Sequence, residues 1–146
     1  MQTILQIKKL YELKHVLRDN HVRNRIESVA EHSRSALILA DYFLSTLQLD
    51  VDRLRVYELL MYHDVVEIET GDIPVGDLEA RKYKKEKELL AMKKIKEDIP
   101  EILREKFAQI FYELEEKKTL ESRFVHAIDK LDADLQAMEH PADEFG

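Results

Sequence analysis

Residues 28–47 read SVAEHSRSALILADYFLSTL. The stretch opens on a capping box, with Ser28 at the N-cap and Glu31 three positions on. Apolar residues then return every three or four positions, at Ala36, Leu37, Ala40, Phe43, Leu44 and Leu47. That period is helical and leaves one face apolar. The same spacing recurs on both sides. Ile4, Ile7, Leu10 and Leu17 predict a first helix over about residues 2–17. Residues 18–28, RDNHVRNRIES, break that stripe and read as a polar connection. Asp50 or Asp52 caps a third helix through Leu54, Tyr57, Leu60, Met61 and Val65. The segment TGDIPVGD, 70–77, is the clearest loop, and a charged helix of about 78–98 follows it. Pro100 opens a helix of about 101–117, and Thr119 caps a last one from Leu120 to about Glu139. About six helices with short links make a compact all-α bundle, expected as a single domain over 1–146.

Composition narrows the classes of function. The chain has 146 residues, 45% of them hydrophobic and 36% charged, which suits a folded core. Its net charge of −7 argues against a nucleic-acid partner, which needs a basic face. Three Gly and three Pro are too few for the turns of an all-β fold. The absence of Cys excludes disulfides, a thiolate metal site and a cysteine nucleophile. No apolar stretch approaches the ~20 residues of a membrane span, and MQTILQIKKLYELKH lacks the apolar core of a signal peptide. The expectation is a cytoplasmic protein with no membrane partner.

Chemistry-bearing residues gather near the end of the third helix. His63-Asp64 precedes the Gly-containing loop, and Glu67 lies four after His63 and three after Asp64 on the same face. A helix C-terminus with a dipole-matched His and solvated acids is the plain alternative. His32 changes the balance. It stands 18 residues before the turn near Asp50, and His63 stands 13 after it. In an antiparallel hairpin the mismatch of five residues is roughly 7 Å, so His32 can reach the neighbourhood of the His63-Asp64 pair, whereas a lone His at such a position is more often a satisfied, partly buried one. Asp129 falls between Ile128 and Leu131 on the last helix, where a carboxylate needs a partner. A metal ion is one such partner; Lys130 or an Arg from another helix is another. His126, three before Asp129, is a rival ligand, whereas Asp132 and Asp134 read as solvated or capping acids. Two imidazoles with two carboxylates suit Mn²⁺, Co²⁺, Fe²⁺, Ni²⁺ or Zn²⁺ rather than Ca²⁺. Arg18, Arg23 and Arg25 lie in one connection and supply cations for an anionic ligand. The run Arg81, Lys82, Lys84, Lys85 and Lys87 is interleaved with Glu79, Glu86 and Glu88 and reads as a solvated face, or as a lid edge near the substrate; Tyr83 within it offers a ring to stack on a base. Leu39, Phe43, Phe107, Ile110 and Phe111 have core spacing.

The order His32, His63-Asp64, Asp129 resembles that of the HD-domain metal-dependent phosphohydrolases. Its context is more specific: ESVAEHS at 27–33, MYHDVVEIETGDIP at 61–74 and AIDKLDADLQAME at 127–139. Together these resemble the 5′-deoxynucleotidase branch, over about residues 10–140. The resemblance implies that His32, His63, Asp64 and Asp129 bind one divalent transition metal. It implies that Glu67 acts on the attacking water and that Arg18 orients the phosphate. It assigns Asp72, Ile73 and Pro74, in the loop Gly71 to Pro74, to the nucleoside. Members of the branch often carry a Trp beside or shortly after that Arg; here Asp19 follows Arg18 and there is no Trp. Relatives usually continue with another helix, so the C-terminus is expected to be truncated relative to them.

The expected function is hydrolysis of (deoxy)nucleoside 5′-monophosphates to nucleoside and phosphate, by a homodimer. The alternative is a non-catalytic helical module that binds nucleotide or a partner protein around a structural metal. Glu67 weighs against that alternative, because a structural site needs no adjacent base.

Overall fold

The computed structural model describes residues 2–71, 79 and 83–139. In it the Ser28 capping box forms in full. The Ser28 hydroxyl accepts from the Glu31 N–H, and the Glu31 carboxylate accepts from the Ser28 N–H at 3.0 Å. This box starts α2, Val29–Thr46. Its inward stripe is Val29, His32, Ala36 and Ala40, at helical spacing. Asp52, not Asp50, caps α3, Arg53–Tyr62, by accepting from the Arg55 N–H. The chain then tightens into i→i−3 bonds, Val65 to Tyr62 and Glu67 to Asp64, and enters a single-turn α4, Glu67–Thr70. The third helix therefore stops short of Val65. Gly71 ends α4 at φ 69°, a conformation that a side chain would strain.

Beyond the loop, α5 spans Lys84–Asp98, α6 Glu101–Glu116 and α7 Leu120–Ala137. Thr119 caps α7 by accepting from the Ser122 N–H. Asp72, Ile73 and Pro74 lie outside the described residues.

The start of the chain departs from the sequence reading. In place of one helix over 2–17, α1 covers Gln2–Leu10 and a 3₁₀ segment covers Tyr11–His15. The polar connection is an antiparallel hairpin, β1 Leu17–Val22 and β2 Arg25–Ser28. Its turn places Arg23 at φ 53°, a left-handed conformation that glycine normally supplies. On β1 the partly buried positions are Arg18, Asn20 and Val22, and the exposed ones are Leu17, Asp19 and His21. The strand so presents a largely polar inner face to α7: Asn20 donates to the Ala133 carbonyl, and Gln136 donates to the His21 carbonyl.

The core lies where α2, α3, α6 and α7 meet. Val29, Val56, Leu59, Leu60, Phe107, Ile110 and Val125 are almost wholly buried, while Leu39 and Phe43 pack only partly against them. Each fully buried large side chain contributes about 1.5–3 kcal/mol. No helix among the described residues is long and apolar enough to cross a membrane. The architecture is that of the expected all-α bundle, with the hairpin added at one edge.

Candidate active site

Three elements bring the candidate ligands together. His32 continues the inward stripe of α2 and is fully buried. His63 is the C-cap of α3, and Asp64 follows it in the tighter i→i−3 turns beyond the helix. Asp129 adjoins the inward stripe of α7, Ser122, Val125, Ile128 and Asp132. One donor atom from each of His32, His63, Asp64 and Asp129 lies within 4.8 Å of all the others. Both histidines turn Nε2 toward this centre: His32 Nε2 is 2.5 Å from Asp129 Oδ1, and His63 Nε2 is 3.1 Å from the same oxygen. His63 Nε2 and Asp64 Oδ2 stand 2.8 Å apart, yet that oxygen makes no hydrogen bond. Such closeness without donor–acceptor alignment suits two ligands of one ion.

The far side of each ring is also engaged. His63 Nδ1 donates to the Leu60 carbonyl at 2.7 Å. A carbonyl only accepts, so the proton of the neutral ring sits on Nδ1 and the Nε2 lone pair faces the centre. His32 Nδ1 lies 2.8 Å from Asp132 Oδ2, a carboxylate that fixes the same tautomer. Carboxylate and carbonyl partners of this kind orient metal-binding imidazoles and raise their basicity. Asp132 corrects the sequence reading: it is buried, not solvated. It continues the spacing of three, three and four that runs Ser122, Val125, Ile128, Asp132, which is the signal that places it inward.

The electrostatics agree with a cation-seeking centre. Burial pushes His32 down, but hydrogen bonds to Asp129 and Asp132 outweigh it and raise its pKa to about 9. His63 is likewise driven down by burial and then raised well above 6.5 by Asp64 and Asp129. Burial pushes Asp129 up, and the two histidines more than reverse this, so its carboxyl titrates well below the usual range. In the chain alone, protons compensate the carboxylates; a metal ion competes for the same positions.

Three of the four residues open onto a cleft of about 630 Å³, while His32 is fully buried. His63, Asp64 and Asp129 line it together with Glu67, Arg18, Lys84, Lys85 and Glu88. Glu67 reaches the cleft as the first residue of α4, not as a further turn of α3. Of the three arginines, Arg18 lines the cleft from the inner face of β1. Arg25 is exposed and gives both terminal nitrogens to Glu31 at 2.7 and 2.6 Å, and Arg23 occupies the hairpin turn. His126 also lines the cleft, but its Nε2 donates to the Leu114 carbonyl and it is not one of the four converging residues. Glu27 entered the sequence reading only as part of a motif. It is 1% exposed and its Oε1 lies 3.2 Å from Arg18 Nε.

A helical bundle with histidines and aspartates from three helices converging beside a cleft is the arrangement of a metal-dependent phosphohydrolase. The chain belongs to the HD domain family, which it matches over residues 10–145. It is 33% identical over 146 residues to the human 5′-deoxynucleotidase HDDC2, covering 95% of this chain and 69% of that protein. It is 34% identical over 141 residues to the 5′-deoxynucleotidase plu3092 of Photorhabdus laumondii, covering 89% and 70%. Among solved structures, a predicted metal-dependent phosphohydrolase from Magnetospirillum magnetotacticum MS-1 superposes with a TM-score of 0.81 at 27% identity, over 92% of this chain and 68% of that one. A conserved hypothetical protein from Pyrococcus furiosus gives 0.70 at 29%, over 93% and 83%. The chain is accordingly a hydrolase of the phosphohydrolase type.

Proposed function

We propose that the chain hydrolyses nucleoside 5′-monophosphates, with a preference for the deoxy sugar, to nucleoside and inorganic phosphate. The observation that carries this reading is the convergence of His32, His63, Asp64 and Asp129, the last three lining the same cleft as Arg18 and Glu67. The relatives named 5′-deoxynucleotidases, at about 30% identity, support the substrate class.

In this reading His32, His63, Asp64 and Asp129 hold one divalent transition metal, drawn from Mn²⁺, Co²⁺, Fe²⁺, Ni²⁺ and Zn²⁺. Two imidazole nitrogens and two carboxylate oxygens fit that group of ions. The chemistry such an ion supplies when bound is Lewis-acid polarisation of a phosphoryl oxygen and acidification of water. Arg18 supplies charge-assisted hydrogen bonds to the phosphate, which an acidic protein otherwise repels. Glu67 accepts the proton of the attacking water as the P–O5′ bond breaks. Asp72, Ile73 and Pro74 shape the nucleoside end.

The test is phosphate release by the purified chain with Mn²⁺ or Co²⁺ across a panel of ribo- and deoxynucleoside 5′-monophosphates. Release from the monophosphates, faster for the deoxy series, is expected. Turnover only of nucleoside triphosphates or phosphodiesters, run beside the panel and followed by product chromatography, overturns the substrate class. No release from any of them returns the non-catalytic reading.

A further inference from the structure

Glu27 is the most deeply buried acid in the described chain, at 1% exposure, and neither of its oxygens makes a hydrogen bond. Burying a carboxylate in that state is costly unless a charge compensates it. The ion pair it forms is with Arg18, whose Nε lies 3.2 Å from Glu27 Oε1. The hairpin creates this pair. Leu17 pairs with Ser28 across the antiparallel strands, which sets Arg18 beside Glu27 on the inner face. The side chain of Arg18 is itself only 15% exposed, and what it shows lines the cleft.

A guanidinium has one Nε edge and two terminal nitrogens. Glu27 Oε1 faces the Nε edge at 3.2 Å as an ion pair rather than an aligned hydrogen bond, which leaves the terminal nitrogens as the donors for the cleft. A planar fork serves a phosphate only when its orientation is held. We propose that Glu27 is a positioning residue for the hydrolysis: it anchors the Nε edge of Arg18 so that the two terminal nitrogens meet the substrate phosphate. Arg25 shows the contrast within the same hairpin. Its two terminal nitrogens are paired with Glu31 at the surface rather than turned to the cleft. The proposal rests on the reading of Arg18 as the phosphate-binding cation.

The experiment is a double-mutant cycle in the full Mn²⁺-loaded chain: Glu27→Gln, Arg18→Ala and the two together. Three readouts are taken: inorganic phosphate binding by titration calorimetry, KM and kcat for a deoxynucleoside monophosphate, and metal content. Glu27→Gln keeps the shape and removes the charge. It is expected to weaken phosphate binding and raise KM about tenfold, the scale of a charge-assisted hydrogen bond, with metal content unchanged and kcat altered less than KM. In the Arg18→Ala background the same substitution is expected to add nothing, because the group it positions is gone. A Glu27→Gln chain with wild-type phosphate affinity overturns the proposal, as does a full additive penalty without Arg18. If Arg18→Ala itself binds phosphate normally, the reading of Arg18 fails instead. If Glu27→Gln does not fold, Glu27→Asp serves: it keeps the charge but withdraws it by one methylene, and unchanged phosphate affinity there overturns the proposal equally.

Discussion

Glu67 stands on the cleft wall beside His63, Asp64 and Asp129 but is not among the four residues whose donor atoms converge. A carboxylate so placed can act on water without competing for the ion. General-base catalysis contributes roughly 10²–10⁴-fold, so Glu67→Gln is expected to lower kcat by about that range while KM and metal content stay near wild type. Stopped-time phosphate assays with parallel metal analysis decide it. Turnover that survives removes Glu67 as the base, and lost metal makes it a ligand. Asp132 invites a different substitution. Its carboxylate touches only the far side of His32 in this arrangement, 2.8 Å from Nδ1. Asp132→Asn keeps a side-chain oxygen that still accepts from Nδ1–H but removes the charge. It is expected to weaken metal affinity about 10–100-fold, the usual cost of disturbing a ligand's outer partner. Competition against a metallochromic chelator measures this directly, and unchanged affinity shows that Asp132 only fills space.

At the scale of elements, α2 links a local signal to the site. Ser28 and Glu31 close the capping box, and His32 is the next residue along the helix. Ser28→Ala is expected to cost about 1 kcal/mol in urea unfolding and to weaken metal binding as the first turn frays. A stability loss without any change in metal affinity would show that His32 is held by packing alone. This helix was legible in the sequence because capping chemistry and apolar spacing both act locally. The metal-type cluster was legible for a related reason. His32, His63-Asp64 and Asp129 are few, chemically distinctive residues, and helix geometry alone brings the two histidines near each other. The hairpin was not legible. Its inner face carries Arg18, which lines the cleft, and Asn20, which bonds to α7, while Leu17 points outward, so the alternation that marks a half-buried strand is inverted. Its turn carries Arg23 where glycine is the usual signal. Glu27 was missed because it is buried for a charge partner across space, which leaves no local pattern, and Asp132 because a carboxylate at an inward helical position reads as solvated until its partner His32 is in place.

For the whole molecule, the four candidate ligands tie together α2, the end of α3 and α7, so occupancy of the site bears on global stability. In the chain stripped of metal, His32 and His63 hold protons more tightly folded than unfolded, because neighbouring carboxylates outweigh burial. A raised pKa of this kind stabilises the fold fully below pH about 6.5, the unfolded value. The stabilisation is lost as pH climbs through about 9, the folded value of His32. Metal and proton compete for Nε2, so affinity for the ion rises over the same interval. In chelator, the melting temperature is therefore expected to fall from pH 6 to pH 9. With Mn²⁺ at a hundred times its dissociation constant, binding to the folded state alone adds about 2.7 kcal/mol. For a chain of this size that corresponds to a rise of about 5–10 °C. Asp129→Ala removes a ligand and should abolish the rise, and it also removes a hydrogen-bond partner of both histidines, so its own pH dependence in chelator should be shallower. Differential scanning calorimetry at pH 6, 7.5 and 9, with and without Mn²⁺, separates the two effects. A metal-induced rise that survives in Asp129→Ala would exclude Asp129 from the ligand set and bring forward His126, one turn before it on α7. A melting temperature in chelator that rises with pH would mean that the histidines are neutral in the folded chain and that burial, not the carboxylates, governs them.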